Sequence, residues 1–224
     1  FYFIEPGGRT STMKAGVLPA PLHFSESFLT LRFLDLRDKI AVARGLLKIR
    51  SEYRTRKDLD RITMLDWLRA NGQTPRAIER FWRQVLVSAI NEELDRMAAS
   101  HGFQVFWLGF VAQPNSYEMG IPSVPLGELY SSDAWTRIPN VTLHPRRAVE
   151  RLEISGGRVS AAVTNGEPLR GDFYISAVPF ERASALLPDL NLDLSGFDHS
   201  PITGIHLWFD RPVTDLPHAT LLDR

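Results

Sequence analysis

Cysteine is missing from all 224 residues, so disulfides, thiolate metal sites and a cysteine nucleophile are excluded. That suits a reducing compartment. Net charge is missing too: 26 lysines and arginines balance 26 aspartates and glutamates, which removes any bulk electrostatic case for nucleic acid. No apolar run reaches the roughly 18 residues of a membrane span. The sequence holds no Gly-x-Gly-x-x-Gly, no P-loop, no Gly-x-Ser-x-Gly and no His-Glu-x-x-His. Its six histidines (His23, His101, His144, His199, His206 and His218) are scattered, none paired at metal-ligand spacing, and no metal is expected. Asp198, His199 and Ser200 are adjacent, which does not make a triad, and spacing alone names no catalytic residue. The chain opens Phe-Tyr-Phe-Ile-Glu, with no initiator methionine and no signal peptide, and stops on a strand-like His218–Arg224 stretch. Both ends read as cuts within a longer protein.

What is present is ordinary in bulk: 44% hydrophobic and 23% charged residues, enough chain for one large domain or two small ones. Residues 141–181 organise it. Leu152 and Ile154 share one face, and Val159, Ala161 and Val163 alternate with polar neighbours, the period of half-buried strands. Gly156-Gly157 supplies the turn between them. After a second turn at Asn165-Gly166-Glu167-Pro168, the apolar run Asp172–Pro179 reads as a strand covered on both faces, followed by a helix over 180–187.

Pro6-Gly7-Gly8 predicts a hairpin of Phe1–Ile4 with Arg9–Lys14, and Phe24, Phe28, Leu31 and Leu34 have helical spacing. Asp35 and Asp38 form a capping-box pattern for a helix carrying Leu36, Ile40, Ala43 and Leu47 on one side, with Val42, Leu46 and Ile49 close by. Its polar side holds Arg37, Lys39, Arg44, Lys48 and Arg50. Residues 32–61 contain ten basic and five acidic side chains, a pattern that suits a solvated face or an anionic membrane surface. Thr63 with Asp66 opens a further helix that stops at Asn71-Gly72, and Thr74-Pro75 opens another carrying Ile78, Phe81, Trp82, Val85, Leu86 and Ala89. Asn91-Glu92-Glu93 predicts a helix through Leu94, Met97 and Ala98, ahead of the apolar Phe103–Val111 run. Pro125–Tyr130 reads as a short helix. Ile202–Phe209, with Ile205, Leu207 and Phe209 alternating, reads as a strand ended by Asp210-Arg211-Pro212.

Several stretches fall in a telling order: Leu18-Pro19-Ala20-Pro21-Leu22-His23, Leu36-Arg37-Asp38-Lys39, Gly72 to Trp82, Val124-Pro125-Leu126, Val149-Glu150-Arg151-Leu152, Ala177-Val178-Pro179 and Leu207 to Val213. Together they resemble the flavin-containing amine oxidase and phytoene desaturase superfamily, and within it the squalene-associated FAD-dependent desaturases, or hydroxysqualene dehydroxylases. The resemblance implies an α/β (α+β) two-domain fold, present as an internal fragment without the N-terminal Rossmann motif and the C-terminal segment. Residues 1–135 would form a mostly helical substrate domain, 136–190 the middle piece of the FAD domain, and 191–224 a return to the substrate-domain sheet. FAD is the implied cofactor. The backbone at Val149 would face its adenine end and Ala177, Val178 and Pro179 would lie against the dinucleotide. Without the pyrophosphate-holding glycines, this polypeptide alone is expected to bind FAD weakly or not at all.

The implied reaction is reductive dehydroxylation of hydroxysqualene to squalene in hopanoid synthesis, its catalytic acid unassigned; the alternatives are a carotenoid-type desaturase or another flavoenzyme of the superfamily. From a different class, a non-catalytic lipid-binding or membrane-docking module also fits. For a long-chain isoprenoid substrate, Phe81, Trp82, Leu86, Phe106, Trp107, Phe110 and Trp208 are the candidate tunnel residues. The expected partners are that isoprenoid, the parent's flanking segments and an anionic membrane met through residues 32–61, with no nucleic acid. The expected location is the cytoplasm, peripheral on the inner membrane.

Overall fold

The computed structural model describes residues 1–118, 120–190 and 193–223, so the domain start expected at 191 lies outside the described residues. The chain divides into two compact units. One comprises Phe1–Met119 with Ser200–Arg224, the other Gly120–His199.

In the first unit, β1 (Tyr2–Ile4) and β2 (Thr10–Thr12) pair antiparallel around Gly7 and Gly8, whose φ values of +88° and +84° need glycine. A short turn of 3-10 helix leads into α1 (Ser25–Thr30). The helix α2 (Leu36–Glu52) starts with the expected reciprocal box: Asp38 N–H donates to Asp35 Oδ1 and Asp35 N–H to Asp38 Oδ2, both at 3.0 Å.

The buried face of α2 is not the stripe the spacing favours. Ala41, Val42, Gly45 and Ile49 go inward, while Leu36, Ile40 and Leu47 stay 71%, 44% and 61% exposed. Gly45 is the physical reason. A Cβ there would lie 2.7 Å from Trp82 Cζ2, so only glycine lets the helix approach the indole this closely.

The helix α3 (Met64–Ala70) is capped by Thr63, which accepts from Asp66 N–H at 3.1 Å, and ends with Gly72 at φ +67°. Thr74 caps α4 (Pro75–Ala77), which continues through a π-helical turn (Ile78–Trp82) into α5 (Arg83–Ile90). The helix expected from Asn91 does not form. Instead the carbonyls of Leu94 and Met97 accept from Leu65 N–H (2.8 Å) and Met64 N–H (3.0 Å), amides that the first turn of α3 leaves without helical partners. The next helix, α6 (Ala99–Phe106), runs into a second π-helical turn, Trp107–Val111. Trp67, Trp82, Phe81, Phe103 and Phe106 form the centre of the core, each 2% exposed or less.

The second unit holds α7 (Leu126–Leu129), α8 (Ser132–Thr136) and the antiparallel sheet of β3 (Arg151–Ser155), β4 (Arg158–Thr164) and β5 (Glu167–Leu169). The hairpin at Gly156-Gly157 is as the sequence indicates, with both glycines at positive φ. The run Asp172–Pro179, expected as a buried strand, is neither. It pairs with no strand among the described residues, and Phe173 and Ile175 are 91% and 95% exposed. An apolar run becomes a strand only where a neighbour takes up its N–H and C=O groups; among the described residues its hydrogen bond to β4 comes from a side chain, the Tyr174 hydroxyl donating to Ser160 C=O at 2.9 Å. The helix α9 (Phe180–Leu186) follows.

Back in the first unit, β6 (Thr220–Leu221) adds to β1 in parallel, giving the order β2-β1-β6. Ile202–Phe209 is irregular, correcting the expected strand, with Ile202 81% and Trp208 88% exposed and no strand beside them among the described residues. No helix is long and apolar enough to cross a membrane among the described residues.

Candidate functional site

An apolar groove of about 190 Å³ lies in the first unit and is the candidate seat for an apolar ligand. Phe24 and Phe28, four residues apart across the start of α1, form one wall with Met13, Pro21, Leu22 and Ser25. Ala43, Leu46, Leu47 and Arg50 of α2 form another, and Phe81, Phe110 and Val111, all from the π-helical turns, close the floor. The aromatic rings are mutually braced: Phe24–Phe110 centroids lie 5.5 Å apart, Phe28–Phe81 5.8 Å and Phe106–Phe110 5.2 Å. Its lining has one charged side chain, Arg50, and one hydroxyl, Ser25. A volume below the roughly 300–1,000 Å³ of a drug-sized pocket seats a stretch of an apolar molecule rather than all of a long one.

Of the seven tunnel candidates, the groove brings together Phe81 and Phe110. Phe106 stands behind them, its ring 5.9 Å from Phe81. Trp82 and Leu86 are fully buried in the core. Trp107 stacks on Tyr53 at 4.9 Å, with the Arg54 guanidinium 6.0 Å from its ring. Trp208 is exposed. The groove residues that sequence reasoning missed are Met13, Pro21, Leu22, Phe24, Ser25, Phe28, Val111 and those of α2. The Phe24/Phe28 spacing was a usable signal, and the exposed stripe of α2 was the other.

His23 lies in the segment that walls the groove yet does not line it. Its ring is 1% exposed, packed 4.3 Å from Phe24, and neither nitrogen has a hydrogen-bond partner among the described residues. Burial holds its pKa below the usual imidazole value. As pH falls below about 6.5, the unfolded chain takes up a proton that the folded one refuses. Stability is therefore expected to be greatest above about pH 7 and to drop at lower pH by up to about 1.4 kcal/mol per unit. Urea midpoints at pH 7 and 5.5 check this. His23→Leu should flatten the slope, and an unchanged slope would refute the account.

The dinucleotide candidates lie in the second unit. Val149 is 40% exposed, just before β3, and the next residue, Glu150, donates its N–H to Val163 C=O at 2.8 Å. Ala177, Val178 and Pro179 are exposed, and Pro179, which has no N–H, is the N-cap of the seven-residue α9. The positive-φ glycines at 156, 157 and 166 sit in hairpin turns, not in a strand-to-helix turn. A pyrophosphate is held by a glycine turn that opens a helix, and the glycines of this unit at positive φ among the described residues are not so placed.

The sequence profile of the family described as flavin containing amine oxidoreductase matches residues 1–223. The chain belongs to this family. FAD is the cofactor of its members. The chain is 24% identical over 256 residues to the probable zeta-carotene desaturase of Synechococcus elongatus, covering 99% of itself and 53% of that protein. It is 24% identical over 244 residues to the zeta-carotene desaturase of Synechocystis sp., covering 96% and 49%. The zeta-carotene desaturase of Arabidopsis thaliana is 25% identical over 229 residues, covering 90% and 41%. The chain spans about half the length of the curated relatives it matches.

Proposed function

We propose that the protein is an FAD-dependent desaturase of long isoprenoid hydrocarbons, and that this chain supplies the groove holding one stretch of the substrate. The observation that carries the reading is the lining: aromatic and aliphatic side chains with one guanidinium, Arg50, one hydroxyl, Ser25, and neither carboxylate nor amide among the described residues that line it. An amine substrate would need its cation compensated, since a buried unpaired charge costs several kcal/mol; a polyene needs only dispersion and exclusion of water. Phe24, Phe28, Phe81 and Phe110 give the flat faces a conjugated chain packs against. Their mutual contacts fix the rings before substrate arrives, which limits the ordering cost of binding.

The named relatives are carotene desaturases, which favours removal of hydrogen from adjacent carbons over the dehydroxylation of hydroxysqualene implied by the first resemblance. The deciding experiment gives the complete flavin-loaded protein zeta-carotene, phytoene, hydroxysqualene and a primary amine in parallel. The expected result is a product with a new carbon–carbon double bond from a carotene. Squalene from hydroxysqualene, or an aldehyde from the amine, with the carotenes untouched, would overturn the reading.

A further inference from the structure

The stripe of α2 that fails to enter the core has a consequence for where the protein works. Leu36, Ile40, Ala43 and Leu47 recur at i, i+4, i+7 and i+11, so they line up along one side of a 17-residue helix, and all four are exposed. Cations flank this stripe on both sides: Arg37, Arg44 and Lys48 on one, Lys39 and Arg50 on the other. The acidic residues of the helix and its cap are tied up in their own contacts. Asp38 is buried in the capping box, Asp35 is exposed at the N-cap but pairs with Arg76 at 3.3 Å, and Glu52 accepts from the Trp67 indole N–H and pairs with Lys48, both at 3.1 Å. Among the described residues no carboxylate pairs with Arg37, Arg44 or Arg50. Lys39 donates to Leu29 C=O at 2.7 Å, which brings the 63%-exposed Leu29 alongside the stripe.

We propose that this face of α2 seats the protein on the surface of a bilayer rich in anionic lipid, with the mouth of the groove turned to the membrane. An aliphatic stripe with cationic flanks is the form of a helix that lies in the headgroup plane, its apolar side sunk toward the acyl chains. A protein partner would not require positive charge along both margins, whereas an anionic headgroup layer does. Ala43, Leu47 and Arg50 belong to the stripe and its margin and to the groove wall at once, and Leu22, 56% exposed, completes the rim. An apolar molecule in the bilayer therefore meets a continuous apolar path into the groove. The inference rests on the desaturase reading for what passes along that path, and on α2 alone for the contact.

The test is cosedimentation of the complete flavin-loaded protein with phosphatidylcholine vesicles, with and without phosphatidylglycerol at about one third of the lipid. Binding is expected to need the anionic lipid and to fall steeply between 0.1 and 1 M salt, as the screening length shrinks from about 10 to about 3 Å. Leu36→Ser/Ile40→Ser should weaken it roughly tenfold or more on any vesicle. Arg37→Gln/Arg44→Gln should weaken it roughly twenty-five-fold on anionic vesicles alone, at about fivefold per cation. Neither pair touches the groove, so turnover of detergent-dispersed carotene should stay at the wild-type level while turnover of vesicle-borne carotene falls. Binding indifferent to anionic lipid and salt, or unchanged in both variants, overturns the proposal. So does a dimer that Leu36→Ser/Ile40→Ser dissociates in a protein that ignores vesicles. Lipid-dependent binding without carotene conversion would sink the desaturase reading and leave the membrane face standing.

Discussion

Ala43→Trp in the complete flavin-loaded protein is expected to lower kcat/KM for an apolar isoprenoid by roughly ten- to a hundredfold, about 1.4–2.7 kcal/mol of lost transition-state binding. Ala43 is the smallest side chain on the α2 wall of a groove of only about 190 Å³, so an indole there occupies most of the space a substrate would fill. The position is exposed and mid-helix, where tryptophan costs under about 0.7 kcal/mol in propensity, so flavin content and thermal stability should hold. Ser51→Trp, on an exposed position of the same helix outside the groove, serves as the control. The informative pattern is a loss confined to Ala43→Trp. If both variants turn over carotene like the wild type, the groove is not where the substrate lies.

The legible parts of this fold were those decided by chemistry within a few residues. Asp35 with Asp38, Thr63 with Asp66 and Thr74 with Pro75 each start a helix where the sequence places it, because a side-chain oxygen three residues away satisfies an otherwise unpaired N–H. The turns at Gly7-Gly8, Gly156-Gly157 and Asn165-Gly166 are equally local, all with positive φ. What could not be read was anything settled by a distant partner. The helix α2 carries two apolar stripes, and the contact between Gly45 and Trp82, 37 positions apart in sequence, decides which one is buried. Asp172–Pro179 and Ile202–Phe209 have the composition of strands, but a strand is a relation between two segments, and no described neighbour pairs with either. The groove shows the same division. Its floor of Phe81 and Phe110 comes from strongly aromatic stretches and was among the candidates, whereas Met13 reaches it through the fold alone.

Trp82 shows where an aromatic candidate belongs to stability rather than to ligand contact, and its substitution should have the largest effect on folding. Trp82→Ala is expected to cost about 3–5 kcal/mol, because the indole is fully buried between Trp67, Phe81 and Phe106. The same change leaves Gln73 Oε1, which accepts from the indole N–H at 2.7 Å, without that partner, while Gln73 Nε2 still donates to Ala41 C=O at 2.7 Å. Trp82→Phe keeps one ring and loses the N–H, so its cost should be smaller, about 1–3 kcal/mol. Trp208→Ala, at a side chain 88% exposed, should stay within about 0.5 kcal/mol of wild type. Gly45→Ala probes the same contact from the α2 side, its Cβ also meeting Gln73 Nε2 at 3.0 Å. Its Cβ would meet Trp82 Cζ2 at 2.7 Å and Cη2 at 3.2 Å, an overpacking cost of about 1–3 kcal/mol. Phenylalanine has no atoms in the place of that outer ring, so Gly45→Ala should cost less in the Trp82→Phe background than alone. The four substitutions and the double variant can be ranked by urea unfolding of one protein. Strict additivity of Gly45→Ala with Trp82→Phe, or a Trp208→Ala loss as large as that of Trp82→Ala, would contradict a core closed by the contact of α2 with this indole.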